Sequence, residues 1–509
     1  MKRKFLTQLT AAGLSAVMVA GLVGCGSSAD TTTDSTAADS TAQESTEADT
    51  TAAETTEDTT AEAETEATET EEPVAEEEEV SPYEVLTDAD GNPYDLGGME
   101  IIVRDWWSSG EEAEPTSDYE EARLEYREWL QETYNFTLTQ VAISDWGSTP
   151  SDFVEYATTG GDENYIWILR DDPATTSAMA TGLMYDLSTL DCLDFSEDKF
   201  QENKLHEQYS IGDSVYAMYA GKSEPRTGLF FNKRILEEAG IDPESIYDMQ
   251  ADGTWTWDAW LDIMDQVQRD VDNDGVIDIY GVTMNNSSLT NASVFSNGGE
   301  YVGKADDGSY VLRLTDAETV EGLDFALKVF QNYTADYGAD AQWDAYKEGF
   351  NNGVAAFMVE DQYCANPGGF INEMEDDFGF VMFPKGNQLD HYVNCWSNNP
   401  VAIPSCYDEQ KAWNLAFAWN LWNDPVPGYE DYDDLSAFYT AMRDTRSVDE
   451  TIVMMRSADY GMITYDGMIP NLQRGNDFTY SFGSWSVVSE SVDAIKDTWQ
   501  AYVDAANGN

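Results

Sequence analysis

The chain has 509 residues, with 98 Asp and Glu against 25 Lys and Arg and a formal net charge of −73. A surface this acidic repels nucleic-acid backbones and anionic lipid headgroups, which excludes DNA and RNA as partners. The length predicts two lobes rather than one, and 15 Trp and 28 Tyr supply a large core with rings to spare for a site. With only two histidines, His206 and His391, a mechanism built on a His base or a His-rich metal site has little support.

Lys2, Arg3 and Lys4 precede an apolar, small-residue run from Phe5 to Val23. A basic start, a short apolar core and a small-residue exit describe an export signal, and the run falls short of the ~20 apolar residues of a membrane span. It ends in Leu22-Val23-Gly24-Cys25, which resembles the lipobox of bacterial lipoproteins. That resemblance implies a signal peptide over 1–24, a lipid on Cys25 and an extracytoplasmic, membrane-anchored mature protein. From Gly26 to Ser81 there are 19 acidic residues, no Lys or Arg, and almost nothing apolar. Such a segment cannot bury enough surface to offset ordering, so 25–85 is expected to be a disordered tether. A flexible coil of about 55 residues spans roughly 40 Å, and like-charge repulsion extends it further.

In the body, 86–509, Met99 to Val103 reads as a buried strand leading into the loop Asp105-Trp106-Trp107-Ser108. Ser117 and Asp118 cap a helix with apolar positions Tyr119, Ala122, Tyr126, Trp129, Leu130 and Tyr134 at helical spacing. Strands follow at Phe136 to Ile143 and Tyr165 to Leu169, the latter leading into Arg170-Asp171-Asp172-Pro173. This alternation predicts βαβ units and a parallel sheet, with ligands bound beyond the carboxyl ends of its strands. Helices are expected at 233–239, from Thr256 or Trp257, at 320–333, 410–422 and 491–503, and strands at 355–359 and 378–382. The alternation beyond the first sheet predicts a second α/β lobe.

From Gly228 the sequence reads GLFFNKRILEEAGIDPES and then TWTWDAWLDIMDQVQRDVDNDGVIDIYGV. With Gly353-Val354-Ala355-Ala356-Phe357-Met358 and Phe383-Pro384-Lys385-Gly386, this resembles the carbohydrate-type extracellular solute-binding proteins of ABC transporters. The resemblance covers about Met99 to Leu421. It implies a periplasmic-binding-protein-like α/β fold, two lobes joined by crossover hinge segments that close on a ligand. The first lobe would hold about 97–220 plus part of 400–509, and the second about 230–390; the lobe of the C-terminal helices stays open. A monomer that binds a sugar or oligosaccharide and delivers it to a permease is the implied function.

Sugar recognition needs flat rings for the apolar face of a pyranose and planar polar groups for its hydroxyls. The resemblance implies ligand contacts at Trp106 and Trp107 after the first strand, and at Arg170 and Asp171 after the third. It further implies Glu224 and Arg226 in the first crossover, Asp361 and Tyr363 after the 355–359 strand, and Trp396 in the return crossover. Each ring could equally be a core residue, and Glu224 and Arg226 could simply pair with each other.

Asp270, Asp272, Asp274 and Asp278 with Gly275 form DxDxDGxxD, the pattern in which alternate carboxylates on a glycine turn wrap a hard cation, with Val276 supplying a backbone carbonyl. Position twelve is Gly281 rather than the bidentate Glu. A structural Ca²⁺ site and an acidic helix-to-strand turn both fit; no other cofactor is expected. Cys192, Cys364, Cys395 and Cys406 show no CxxC spacing and are compatible with two disulfides or four thiols. His206-Glu207 lacks the second His of a zinc motif, with Ser210 in its place. Paired carboxylates keep an anchored glycoside hydrolase open as the alternative, and a polysaccharide-binding surface protein without transport is a third reading. The expected reading is a binding protein and not an enzyme.

Overall fold

The structure is a computed structural model that describes residues 83–508 apart from 112, 336, 338–340, 343 and 373. The export signal, Cys25 and nearly all of the acidic tether lie outside the described residues. Val80–Asn509 form one compact unit. Among the described residues no helix is long and apolar enough to cross a membrane.

The chain opens with β1 (Met99–Asp105), α1 (Asp118–Tyr134), β2 (Phe136–Ala142), α2 (Thr149–Thr159), β3 (Asn164–Ile168) and α3 (Pro173–Ala180). The Ser117 side chain accepts a hydrogen bond from the Glu120 amide at 3.2 Å, capping α1 as its position before an apolar-periodic run requires. It continues with β4 (Thr227–Asn232), α4 (Trp257–Val267), β5 (Tyr280–Met284), α5 (Asn286–Phe295), α6 (Ala317–Tyr333), β6 (Ala355–Asp361) and β7 (Phe378–Met382). It then returns through β8 (Val401–Ala402) to α7 (Glu409–Trp422) and ends in α8 (Val488–Ala506).

Two four-stranded sheets result. The first has the order β8-β3-β1-β2. Its β1 runs parallel to β2, with Met99 opposite Phe136, and parallel to β3, with Val103 opposite Ile166. The short β8 joins antiparallel, Val401 opposite Ile168. The second sheet has the order β7-β4-β6-β5 and is mixed. There β6 is parallel to β5, Phe357 opposite Val282, and antiparallel to β4, Phe357 opposite Phe231. Its strands read as unbroken apolar runs: Leu229, Phe230, Phe231, Phe357, Met358 and Val359 are all fully buried. A sheet covered on both faces selects such runs, whereas a half-solvated one would alternate.

Each sheet has its own core. Ile101, Val103 and Ile166 pack with Leu130 of α1 and Leu415 and Phe417 of α7. The second core joins β4, β6 and β7 to α4, α6 and α8, through residues such as Trp260, Leu323 and Trp499. Trp257 lies flat on Phe325, with centroids 4.0 Å apart. The C-terminal helices therefore divide: α7 serves the first core, and the segment from about 436 through α8 serves the second. The chain passes from the first core to the second near 220–227, returns near 395–401, and passes over again near 423–436. A smaller cluster places Met468, from the C-terminal segment, against Trp167 and Met179 of the first lobe.

Candidate functional site

The carboxyl end of β3 delivers the first wall. The Leu169 amide donates to the Pro400 carbonyl at 2.8 Å, and Asp172 caps α3, its Oδ1 accepting from the Ala174 amide at 2.8 Å, with Pro173 in the first helical turn. The turn between them projects Arg170 and Asp171. Arg170 spans two anchors: Nη2 pairs with Asp172 Oδ2 at 2.6 Å, and Nε donates to the Trp146 carbonyl at 3.0 Å. Its guanidinium lies 4.1 Å from the Trp146 ring centroid, and that indole remains 59% exposed.

The opposite wall comes from α5 and from residues 466–480. The Asn286 Nδ2 donates to the Tyr480 carbonyl at 3.2 Å and Ser287 Oγ lies 2.5 Å from Thr479 Oγ1, which ties the two segments together. Arg474 Nη1 pairs with Asp466 Oδ2 at 2.7 Å. Between the walls lies a cavity of about 410 Å³ that Trp146, Arg170, Asp171, Asn291, Arg474 and Tyr480 help to line. A second space of about 200 Å³ shares Ser287, Asn291 and Arg474 with it and reaches Arg226, Asp361 and Ser397. The larger cavity falls in the ~300–1,000 Å³ range of small-molecule sites and is lined from both lobes, while the smaller space is lined by the second lobe and the crossover segments.

Asp171 sits against the α-carbon of Gly467, where any side chain would overlap its carboxylate. More than a third of Asp171 is still open to solvent, yet protein closes round it on the remaining sides. This enclosure, and then the negative charge of Asp466, raises its carboxyl to about 6. In the smaller space Thr227 Oγ1 donates to Asp361 Oδ1 at 2.6 Å, across the β4–β6 pair in which these residues are opposite. Beneath it Glu360, 4% exposed, accepts from the Tyr346 hydroxyl and lies 3.9 Å from Lys347 Nζ. Burial holds its carboxyl above the ordinary range. Arg226 donates from Nε and Nη2 to the Ser397 carbonyl at 3.1 and 2.8 Å, stitching the first crossover to the second.

Of the residues expected from the sequence, Arg170, Asp171, Arg226 and Asp361 come together on these walls. Glu224 lines neither space. Its amide donates to Asn398 Oδ1 at 3.1 Å and its carboxylate accepts from the Tyr219 hydroxyl at 3.3 Å. Tyr363, 45% exposed, lies beyond the walls, with Lys347 Nζ 5.8 Å from its ring centroid. Trp106 and Trp107 meet edge to face at 4.9 Å, and Trp107 is 53% exposed, on the rim of the first lobe. Trp396 requires a correction: it is a core residue and not a wall of the cleft. It is 3% exposed, packs where any side chain on Gly461 would overlap it, and donates from Nε1 to the Met455 carbonyl at 3.1 Å. The flanking crossover strand at Asn394–Cys395 pairs with Gly461–Met462, and this pairing turns the indole inward.

The sequence reading missed Trp146, Asn291, Asp466, Arg474 and Tyr480. Trp146 was findable, since it follows β2 as Trp107 follows β1. The 457–480 segment carries no regular periodicity, and α5, rich in Ser and Asn, lacks the composition of a strong helix former.

In the acidic loop, Asp270, Asp272 and Asp278 bring carboxylate oxygens within 4.8 Å of one another. Asp274 stands outside that group and accepts from the Val276 amide at 2.8 Å. Position twelve is closed to a ligand, because a side chain on Gly281 would come within 3.0 Å of Met264 in α4. The oxygen donors suit a hard cation, while Asp270 already accepts from the Asn273 and Gly275 amides at 2.7 Å each. Cys192, Cys364, Cys395 and Cys406 are all free thiols.

Residues 197–419 match the family described as bacterial extracellular solute-binding protein. Over that span the chain is similar to the extracellular solute-binding proteins. The fold is shared with the cyclic alpha-maltosyl-1,6-maltose binding protein from Arthrobacter globiformis, at 14% identity over 80% of this chain and 99% of that one, with a TM-score of 0.57. UgpB from Mycobacterium tuberculosis, solved in complex with glycerophosphocholine, aligns at 16% identity over 76% and 95% of the two chains with a TM-score of 0.53. The GacH receptor of Streptomyces glaucescens, solved with acarbose, aligns at 13% identity over 80% and 99% with a TM-score of 0.51. A search of curated proteins by sequence found no match. In this chain the larger cavity lies between Arg170 and Arg474.

Proposed function

We propose that this protein captures a sugar or oligosaccharide between its lobes and delivers it to the permease of an ABC transporter. The observation that carries the reading is the cavity shared by the two lobes. It joins an exposed indole, Trp146, to planar polar groups of Arg170, Asp171, Asn291 and Arg474. An aromatic face and convergent planar donors and acceptors are what a pyranose requires. The maltose-type and acarbose-bound neighbours support the same ligand class. The lipobox ending in Cys25 and the acidic segment behind it support a lipid-anchored receptor outside the cytoplasmic membrane. A tether of roughly 40 Å lets it swing between solution and permease, while the anchor keeps its local concentration high.

The test is a ligand-induced melting shift across a glycan panel, with hydrolysis followed in the same samples. A shift without turnover is the expected result. Turnover of any glycan would replace the receptor with the glycoside-hydrolase reading, and the absence of a shift with every sugar would reject the ligand class.

A further inference from the structure

The larger cavity holds an imbalance of charge. Three carboxylates, Asp171, Asp172 and Asp466, face two guanidinium groups, Arg170 and Arg474. Both arginines are committed: Arg170 to Asp172 at 2.6 Å and Arg474 to Asp466 at 2.7 Å. Asp171 has no ion pair among the described residues. The Asp466 side chain is only 5% exposed, and its Oδ1 is buried without a hydrogen-bond partner. A buried carboxylate oxygen left unpaired is costly, and a donor supplied by a ligand removes that cost.

Building on the carbohydrate reading, we infer that the cleft selects amine-bearing saccharides, with the ligand's ammonium group placed at Asp171 beside Asp466. A neutral polyol would satisfy hydrogen bonds here and leave one negative charge uncompensated. An anionic saccharide would add to it. An ammonium group supplies three donors and cancels the excess, and inside a closed cleft that cancellation is worth more than in water. The Asp171 carboxyl is raised first by its enclosure and then by the charge of Asp466. Trp146, 59% exposed, and Tyr480, 60% exposed, offer faces for the sugar ring and for the cation.

The experiment uses matched pairs of oligosaccharides of equal length that differ only in a free amine or its N-acetylated form, in gluco and galacto series, alongside neutral glycans. Titration calorimetry at pH 7 is expected to show the amine form binding about tenfold more tightly or better. In Asp171→Asn the ratio of amine to N-acetyl affinity falls to about threefold or less, whatever the change in overall glycan affinity. Equal binding of the pairs, tighter binding of the N-acetyl forms, or a preference that survives Asp171→Asn overturns the inference and leaves the sugar-receptor reading standing. Failure of every glycan to bind overturns both. Circular dichroism and melting of Asp171→Asn confirm that the variant is folded.

Discussion

Arg170 clasps Trp146 twice, through a hydrogen bond to its carbonyl at 3.0 Å and through its guanidinium 4.1 Å from the ring centroid. The residues lie in successive loops after β2 and β3, so the pair fixes one wall of the cleft and holds the indole face toward the cavity. Replacing Trp146 by Ala is expected to weaken glycan binding by tenfold or more, because the stacking face is lost. Arg170→Ala is expected to weaken it by about tenfold through a mobile indole. Both variants should retain a melting temperature within about 2 °C of the parent, since Trp146 is largely exposed. Calorimetry and thermal melts check this.

The Asp171 carboxyl, raised to about 6 from an ordinary value of 3.8, makes a prediction with a definite sign. A folded-state value above the unfolded one means the folded protein binds this proton more tightly. Its charge therefore costs stability above pH 6, and the cost fades as the pH falls through 6. Solvent access makes the effect small. Asp171→Asn is expected to raise the melting temperature by about 1–2 °C at pH 7.5 and by less at pH 5. Melts of both proteins across that range decide it.

Trp396 and Gly461 test the corrected placement. Gly461→Ala forces a methyl into the indole, and overpacking of this kind costs about 1–3 kcal/mol. A lower denaturation midpoint with unchanged slope is the expected readout. Trp396→Phe should likewise destabilise, through the lost hydrogen bond to Met455, without changing glycan affinity more than about twofold. A large affinity loss with intact stability would return Trp396 to the site.

We propose that Asp270, Asp272 and Asp278, with the Val276 carbonyl, hold a structural Ca²⁺ weakly, because Gly281 cannot supply the closing carboxylate. Millimolar Ca²⁺ is then expected to raise the melting temperature by about 1–3 °C and a chelator to reverse it, by mass action on the folded state. Asp278→Asn should abolish the response. A melting curve indifferent to both additions rejects the site.

The anchor is tested in cells. Cys25→Ala is expected to move the protein from the membrane fraction to the medium or soluble extract and to remove a fatty-acid label. Retention of the label would reject lipidation at Cys25.

Most of the architecture was legible in the sequence because local rules govern it. The apolar runs of β1, β6 and β7, the Ser117, Asn232 and Thr256 caps and the spacing of Trp257, Trp260, Leu261 and Met264 each declare an element within a few residues. The charge and the Leu-Val-Gly-Cys exit likewise state an export reading on their own. The site was only half legible. Arg170, Asp171, Arg226 and Asp361 follow strands or crossovers, where the chain's order already predicts a cleft. Asp466, Arg474 and Tyr480 do not. They lie about 300 residues from Arg170, in a segment without periodicity, and reach the cleft because the chain crosses a third time near 423–436. Trp396 shows the converse: its position in a crossover allowed either role, and the pairing with Gly461–Met462 decided for the core. Short-range periodicity fixes elements; which loops share a cavity depends on how two cores pack, and that is settled by contacts far apart in the chain.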